Sequence, residues 1–83
     1  MPKIPRDVSG KELAKLLERY GYKETRQTGS HIRLVSKTKG VEHRITIPNH
    51  QSIKIGTLNN ILLDVAVYLS ISKQDLVKEL FER

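Results

Sequence analysis

The residues best suited to chemistry are His31 and the cations around it. His31 closes the tripeptide Gly29-Ser30-His31; Arg33 follows two positions on, with Lys37, Lys39, Arg44 and Lys54 further along. An unperturbed imidazole, with a pKa of ~6.5, exchanges protons near neutrality. Guanidinium and ammonium groups can hold a phosphate and stabilise the charge it gains in a displacement. RNA brings its own nucleophile, the ribose 2′-hydroxyl, so one acid–base group and a few cations would suffice to cleave it without a metal. The same residues also fit two plainer readings: a histidine on a solvated basic surface, and an RNA-binding face with no catalysis.

Other chemistries fit less well. The spacing of His31, His43 and His50 matches no compact ligand motif, and the chain has no cysteine, so neither a metal nor another cofactor is expected. Ser30 and His31 are adjacent in sequence, a poor geometry for a nucleophile and its base. Gly29, Gly40 and Gly56 stand alone, without a phosphate-cradling glycine motif.

Three short strands must position these groups. Tyr22 to Thr28 reads as a weakly alternating first strand. Gly29-Ser30 suits a two-residue hairpin loop with glycine first, as a type II′ turn requires, which makes His31 the first residue of a second strand running to Ser36. Side chains alternate along a strand, so Ile32 and Leu34 share one face while His31 and Arg33 share the other. Lys37 to Gly40 forms a basic turn. Val41 to Ile47 is the third strand, with Ile45 and Ile47 inward and Arg44 and Thr46 outward; His43 falls on the face away from His31. Pro48 has no N–H to continue the ladder. The outward face thus gathers His31, Arg33, Arg44 and Thr46, with Arg26 an addition from the uncertain first strand. It carries no aromatic ring for base stacking. Residues 49–56 form a loop holding His50 and Lys54.

Helices frame the strands. After an irregular leader over residues 1–8, Ser9 and Glu12 make a capping box, with Val8 and Leu13 as a hydrophobic staple. Leu13, Leu16, Leu17 and Tyr20 form the apolar stripe of helix one, which Gly21 stops. Thr57 caps a second helix whose Leu58, Ile61, Leu62, Val65, Ala66 and Leu69 keep helical spacing. Leu63 and Val67 fall off that stripe and need cover from a third helix over residues 72–83, capped by Ser72 and Asp75; uncovered, they would belong to a protein interface. The order helix, three strands, helix, helix predicts one α+β domain over residues 1–83, an antiparallel sheet with helices on one face.

Fifteen Lys and Arg against nine Asp and Glu give a net charge of +6 and a pI near 9.8, the balance of a protein that meets a polyanion. No stretch reaches the ~20 apolar residues of a membrane span or forms a signal peptide, so a cytoplasmic protein without a membrane role is expected. Helices two and three lack a helix-turn-helix pattern, and direct DNA binding is not expected.

Three blocks, Arg26-Gln27-Thr28-Gly29-Ser30-His31, Pro48-Asn49-His50 and Ile55-Gly56-Thr57-Leu58-Asn59-Asn60-Ile61-Leu62, together resemble the HicA toxins of type II toxin–antitoxin systems. Lys11 to Tyr22 is similar to that family's first helix. The resemblance spans residues 9–71. It implies a double-stranded-RNA-binding-domain-like fold, a metal-independent mRNA interferase whose catalytic histidine is His31, and a cognate HicB antitoxin that masks the active face. On this reading Arg33 and Arg44 bind phosphate, with Lys37, Lys39 and Lys54 as weaker contacts. Gly29 and Ser30 support the turn, and His50 is a candidate for the second proton transfer. The chain departs from the family at Leu63 and along Asp64 to Leu69, where a lysine and a glycine are usual; this bears on the surface of helix two.

Overall fold

The computed structural model describes residues 7–81. Helix α1 spans Gly10–Leu17, β1 Lys23–Gln27, β2 His31–Ser36, β3 His43–Pro48, α2 Ile55–Leu69 and α3 Lys73–Phe81; a 3₁₀ turn, Glu18–Tyr20, extends α1. Most of the expected leader, and the last two residues of the expected third helix, lie outside the described residues. The strands form one antiparallel sheet in the order β1-β2-β3, with helices on one face, the expected α+β arrangement.

Local chemistry accounts for the helix ends. Ser9 Oγ accepts the Glu12 amide at 3.0 Å, and the staple residues Val8 and Leu13 are both buried. Gly21 stops the 3₁₀ turn with φ +84°; a side chain there would also run into the Thr38 hydroxyl. Helix α2 begins three residues earlier than expected. Its N-cap is Lys54, with no side-chain cap bond, so Thr57 lies inside the helix and is not its cap: apolar burial from Leu58 onward secures the helix without that bond.

The core lies between the sheet and the helices. Ile32, Leu34, Ile45 and Ile47 are buried against Leu13, Leu17, Leu58, Leu62 and Val65, as the alternation of β2 and β3 requires. β1 contributes nothing to this core, since all five of its residues are exposed. Its charged, polar composition suits a sheet edge, and its weak alternation follows from having no buried face.

Helix α3 does not cover Leu63 and Val67, which remain 43% and 77% exposed. Ser70, at φ 60°, ends α2 in the left-handed conformation, and the two helices meet at 107°. That turn sends Leu76, Val77 and Leu80 into the main core instead. Lys73 Nζ donates to Asn59 Oδ1 at 2.5 Å. At the other end of α3, Arg19 donates to the Glu79 carbonyl and Tyr20 to its carboxylate, each at 2.6 Å. Among the described residues, no single helix is long and apolar enough to cross a membrane.

Candidate functional site

The face of the sheet away from the helices carries three of the predicted cations, Arg33, Lys37 and Arg44. His31, at the start of β2, is exposed and lies opposite Pro48, Arg33 is paired with Thr46, and Val35 with Arg44. A groove of about 460 Å³ on this face is lined by Arg26, Arg33, Lys37, Arg44 and Thr46, among others. His31 stands beyond its end.

Arg26 reaches this face through an irregularity in β1. Glu24 pairs with Leu34, but the next pair is Arg26 with Arg33, so Thr25 is an extra residue, a β-bulge. In a regular ladder continued from Glu24, Thr25 would oppose Arg33 and Arg26 would fall in phase with the buried Ile32. The bulge shifts the phase and sets two guanidinium side chains opposite each other.

One carboxylate enters the groove. Glu42 Oε2 lies 2.5 Å from Arg44 Nε, so Arg44 is partly neutralised while Arg33 has no ion pair within the described residues. The two arginines, equivalent by strand alternation, are thus unequal in charge environment. Lys39, in the basic turn, gives its backbone amide to the Tyr68 hydroxyl, and Lys54 sits at the start of α2; neither lines the groove. The groove thus gathers Arg33, Arg44 and Lys37 out of the five predicted cations.

The turn that carries His31 is held from outside. Thr28 N–H donates to the His31 carbonyl at 2.9 Å, so the loop has two residues as expected. Gly29 and Ser30 both lack a positive φ, however, and the turn is not type II′. The Asn49 amide donates to the Ser30 carbonyl at 2.9 Å and its side-chain Nδ2 to the Gly29 carbonyl at 3.4 Å; a turn anchored on its outer carbonyls does not depend on a left-handed glycine. Ser30 Oγ lies 3.0 Å from His31 Nδ1, on an exposed side chain.

The loop behind this turn is fixed in its turn by α1. The Gly10 amide donates to the His50 carbonyl at 2.9 Å, and Gly10 packs so closely that a Cβ would lie 2.2 Å from the Pro48 oxygen. His50 lines a separate shallow recess with Ser9, Lys11, Asn49 and Gln51. The sequence reading missed the positions of Gly10 and Asn49; an unpatterned glycine inside a capping box was the only signal of the first.

His43 lies on the helix side of the sheet, as its alternation requires. Its ring stacks on Tyr68 with centroids 4.7 Å apart, its Nδ1 is 2.6 Å from the Tyr22 hydroxyl and its Nε2 is 3.3 Å from Asp64. Tyr22 O–H donating to Nδ1, with Nε2–H donating to Asp64, satisfies all three groups. Burial first, then the nearby Tyr68 and Asp64, raise the pKa of the Tyr22 phenol well above its ordinary value. This cluster joins β3 to α2 and has no access to the open face. Among the described residues no group of three or more His, Asp or Glu is placed to hold a metal ion.

No curated protein and no solved structure matches the chain. A family model described as the HicA toxin of bacterial toxin–antitoxin systems matches residues 10–67, from α1 through most of α2 and including every element of the site. With well over half of its length matched, the chain belongs to the HicA toxin family.

Proposed function

We propose that this toxin is an endoribonuclease that cleaves mRNA by acid–base catalysis at His31, with no metal or other cofactor, and so inhibits translation and growth. The observation that carries the reading is the exposed His31 imidazole, its Nδ1 engaged by Ser30, on the same strand as Arg33 and beyond the end of a groove lined by Arg26, Arg33, Lys37 and Arg44. The cations hold the phosphates that flank the scissile bond, and Arg26, Arg33 and Lys37 do so with no carboxylate competing among the described residues, whereas Arg44 is shared with Glu42. Nε2 of His31 takes the proton of a ribose 2′-hydroxyl. The oxygen attacks the adjacent phosphorus, the bond to the 5′-oxygen breaks, and a 2′,3′-cyclic phosphate and a protonated 5′-hydroxyl result. His50 is our candidate for the second proton transfer, since Asn49 ties its loop to the turn that carries His31.

The toxin family implies a cognate antitoxin. A HicB-like antitoxin that covers the open face would block both the groove and His31, and the cytoplasm is where mRNA and such a partner would meet the toxin. Direct DNA binding and membrane association have no part in this reading.

The test is His31→Ala. It is expected to abolish cleavage of mRNA and growth inhibition while leaving the unfolding midpoint and RNA affinity close to wild type, and wild-type cleavage is expected to persist in excess EDTA. Retained cleavage by highly purified His31→Ala protein would refute the mechanism. RNA binding by the wild type with no cyclic phosphate product would make the domain a non-catalytic RNA-binding module instead.

A further inference from the structure

The loop after β3 touches the catalytic turn through one residue. Asn49 is the middle residue of Pro48-Asn49-His50, and it approaches Gly29 and Ser30 with both of its N–H groups. Its backbone amide donates to the Ser30 carbonyl at 2.9 Å and its Nδ2 to the Gly29 carbonyl at 3.4 Å. Beyond His31 and Pro48 the register of β2 with β3 brings Ser30 opposite Asn49, so the backbone bond continues that ladder by one step, while the Nδ2 bond reaches a loop carbonyl that the ladder does not use. On its other side the same segment is fixed by α1, through the Gly10 amide on the His50 carbonyl and the close approach of Gly10 to Pro48.

We infer that Asn49 is a positioning residue for His31, an inference that rests on the acid–base reading above. A two-residue turn whose glycine has no positive φ lacks the geometry that ordinarily matches a hairpin to the twist of its strands, and an outside clamp compensates. Asn49 supplies it. With Gly29 and Ser30 held at their carbonyls, Ser30 Oγ stays 3.0 Å from His31 Nδ1, and that contact sets the aim of the ring. The side chain of Asn49 therefore acts on the reaction through the turn, without touching RNA, and its removal should lower turnover and leave binding alone.

The experiment compares wild type with Asn49→Ala, Ser30→Ala and the double variant. Asn49→Ala deletes the Nδ2 bond and keeps the backbone one, so the fold is retained. Its kcat on an RNA substrate is expected to fall about threefold to tenfold, the effect of losing one neutral hydrogen bond, with KM unchanged. Ser30→Ala should act similarly, and the double variant should be no worse than the poorer single one, because both changes act through one contact. The ¹⁵N spectrum of His31 should show a hydrogen-bonded Nδ1 in wild type and an Nδ1 shifted toward that of free imidazole in Asn49→Ala. A raised KM at unchanged kcat, multiplying effects in the double variant, or an unaltered His31 spectrum would each overturn the inference. The spectrum reads the position of His31 directly, so it decides this question even if His31→Ala shows that the ring is not catalytic.

Discussion

Replacing Gly10 by alanine sets two opposing effects against each other at a helix start, and the structure says which one wins. Alanine is the better helix former by up to ~1 kcal/mol. At Gly10, however, the new methyl carbon would lie 2.2 Å from the Pro48 oxygen and 3.1 Å from the Asn49 Cα, where atoms in contact sit at ~3.5–4.0 Å. Both obstacles are backbone, and the segment cannot swing away without breaking the Gly10–His50 and Asn49–Ser30 hydrogen bonds. Overpacking of this kind costs ~1–3 kcal/mol, and with rigid neighbours the upper end applies, leaving a net loss of about 2 kcal/mol after the helix gain. For a domain of this size that lowers Tm by roughly 8–16 °C. Gly56 is the control, because a Cβ there meets nothing within 4 Å; Gly56→Ala should raise Tm by a few degrees, through its ~0.5–1 kcal/mol effect on the unfolded chain and the helix. Thermal unfolding followed by circular dichroism measures both. A Gly10→Ala protein as stable as wild type would refute the packing argument.

Other expectations concern pH, salt and the surface. The Tyr20 phenol is pushed up to about 12 by burial and by its bond to the Glu79 carboxylate, and Tyr22 is raised further. The unfolded chain releases these protons near pH ~10 and the folded one does not, so the stability they contribute is intact below pH ~10 and is lost as pH rises toward the folded values. Urea midpoints should fall across that range, and less steeply in Tyr22→Phe. In a His31→Ala background, which prevents cleavage, Arg33→Ala should reduce the slope of log affinity for single-stranded RNA against log salt by ~0.7. Arg44→Ala should reduce it less, because Glu42 already occupies that guanidinium; equal slopes would contradict the difference drawn between the two arginines. Val67→Ser should change stability by under ~0.5 kcal/mol, whereas Leu62→Ala, at a buried position on the same helix, should cost ~2–5 kcal/mol.

Much of this fold was legible because its strongest signals are periodic. The stripe from Leu58 to Leu69 and the alternation of Ile32, Leu34, Ile45 and Ile47 each state a buried face directly, and the Ser9 and Ser72 caps form as their sequences indicate. What escaped sequence reasoning depends on contacts between distant segments. Thr57 is a good capping residue inside a helix that burial extends past it. Leu63 and Val67 depend on the angle at Ser70, which no periodicity encodes. At the site, alternation alone brought His31, Arg33, Arg44 and Thr46 to one face, but Arg26 needed the bulge, and the pairing of Arg44 with Glu42 is a local rotamer matter. The His43 cluster was visible only as a histidine on the wrong face; its partners Tyr22 and Asp64 come from segments twenty-one residues away on either side.

The bulge at Thr25 also makes neighbouring strands unequal in how they absorb changes of length. Loss of one residue from β1 would remove the surplus and leave a regular ladder, Glu24 opposite Leu34 and Arg26 opposite Arg33 as before. The same loss from β2, which is paired without interruption to β3, would turn the remaining part of that strand over, carrying Ile32 or Leu34 into water and Arg33 into the core. A single-codon deletion is therefore a small edit in the outer strand and a ruinous one in the strand beside it, so natural length variation among such chains should collect on the outer edge of the sheet.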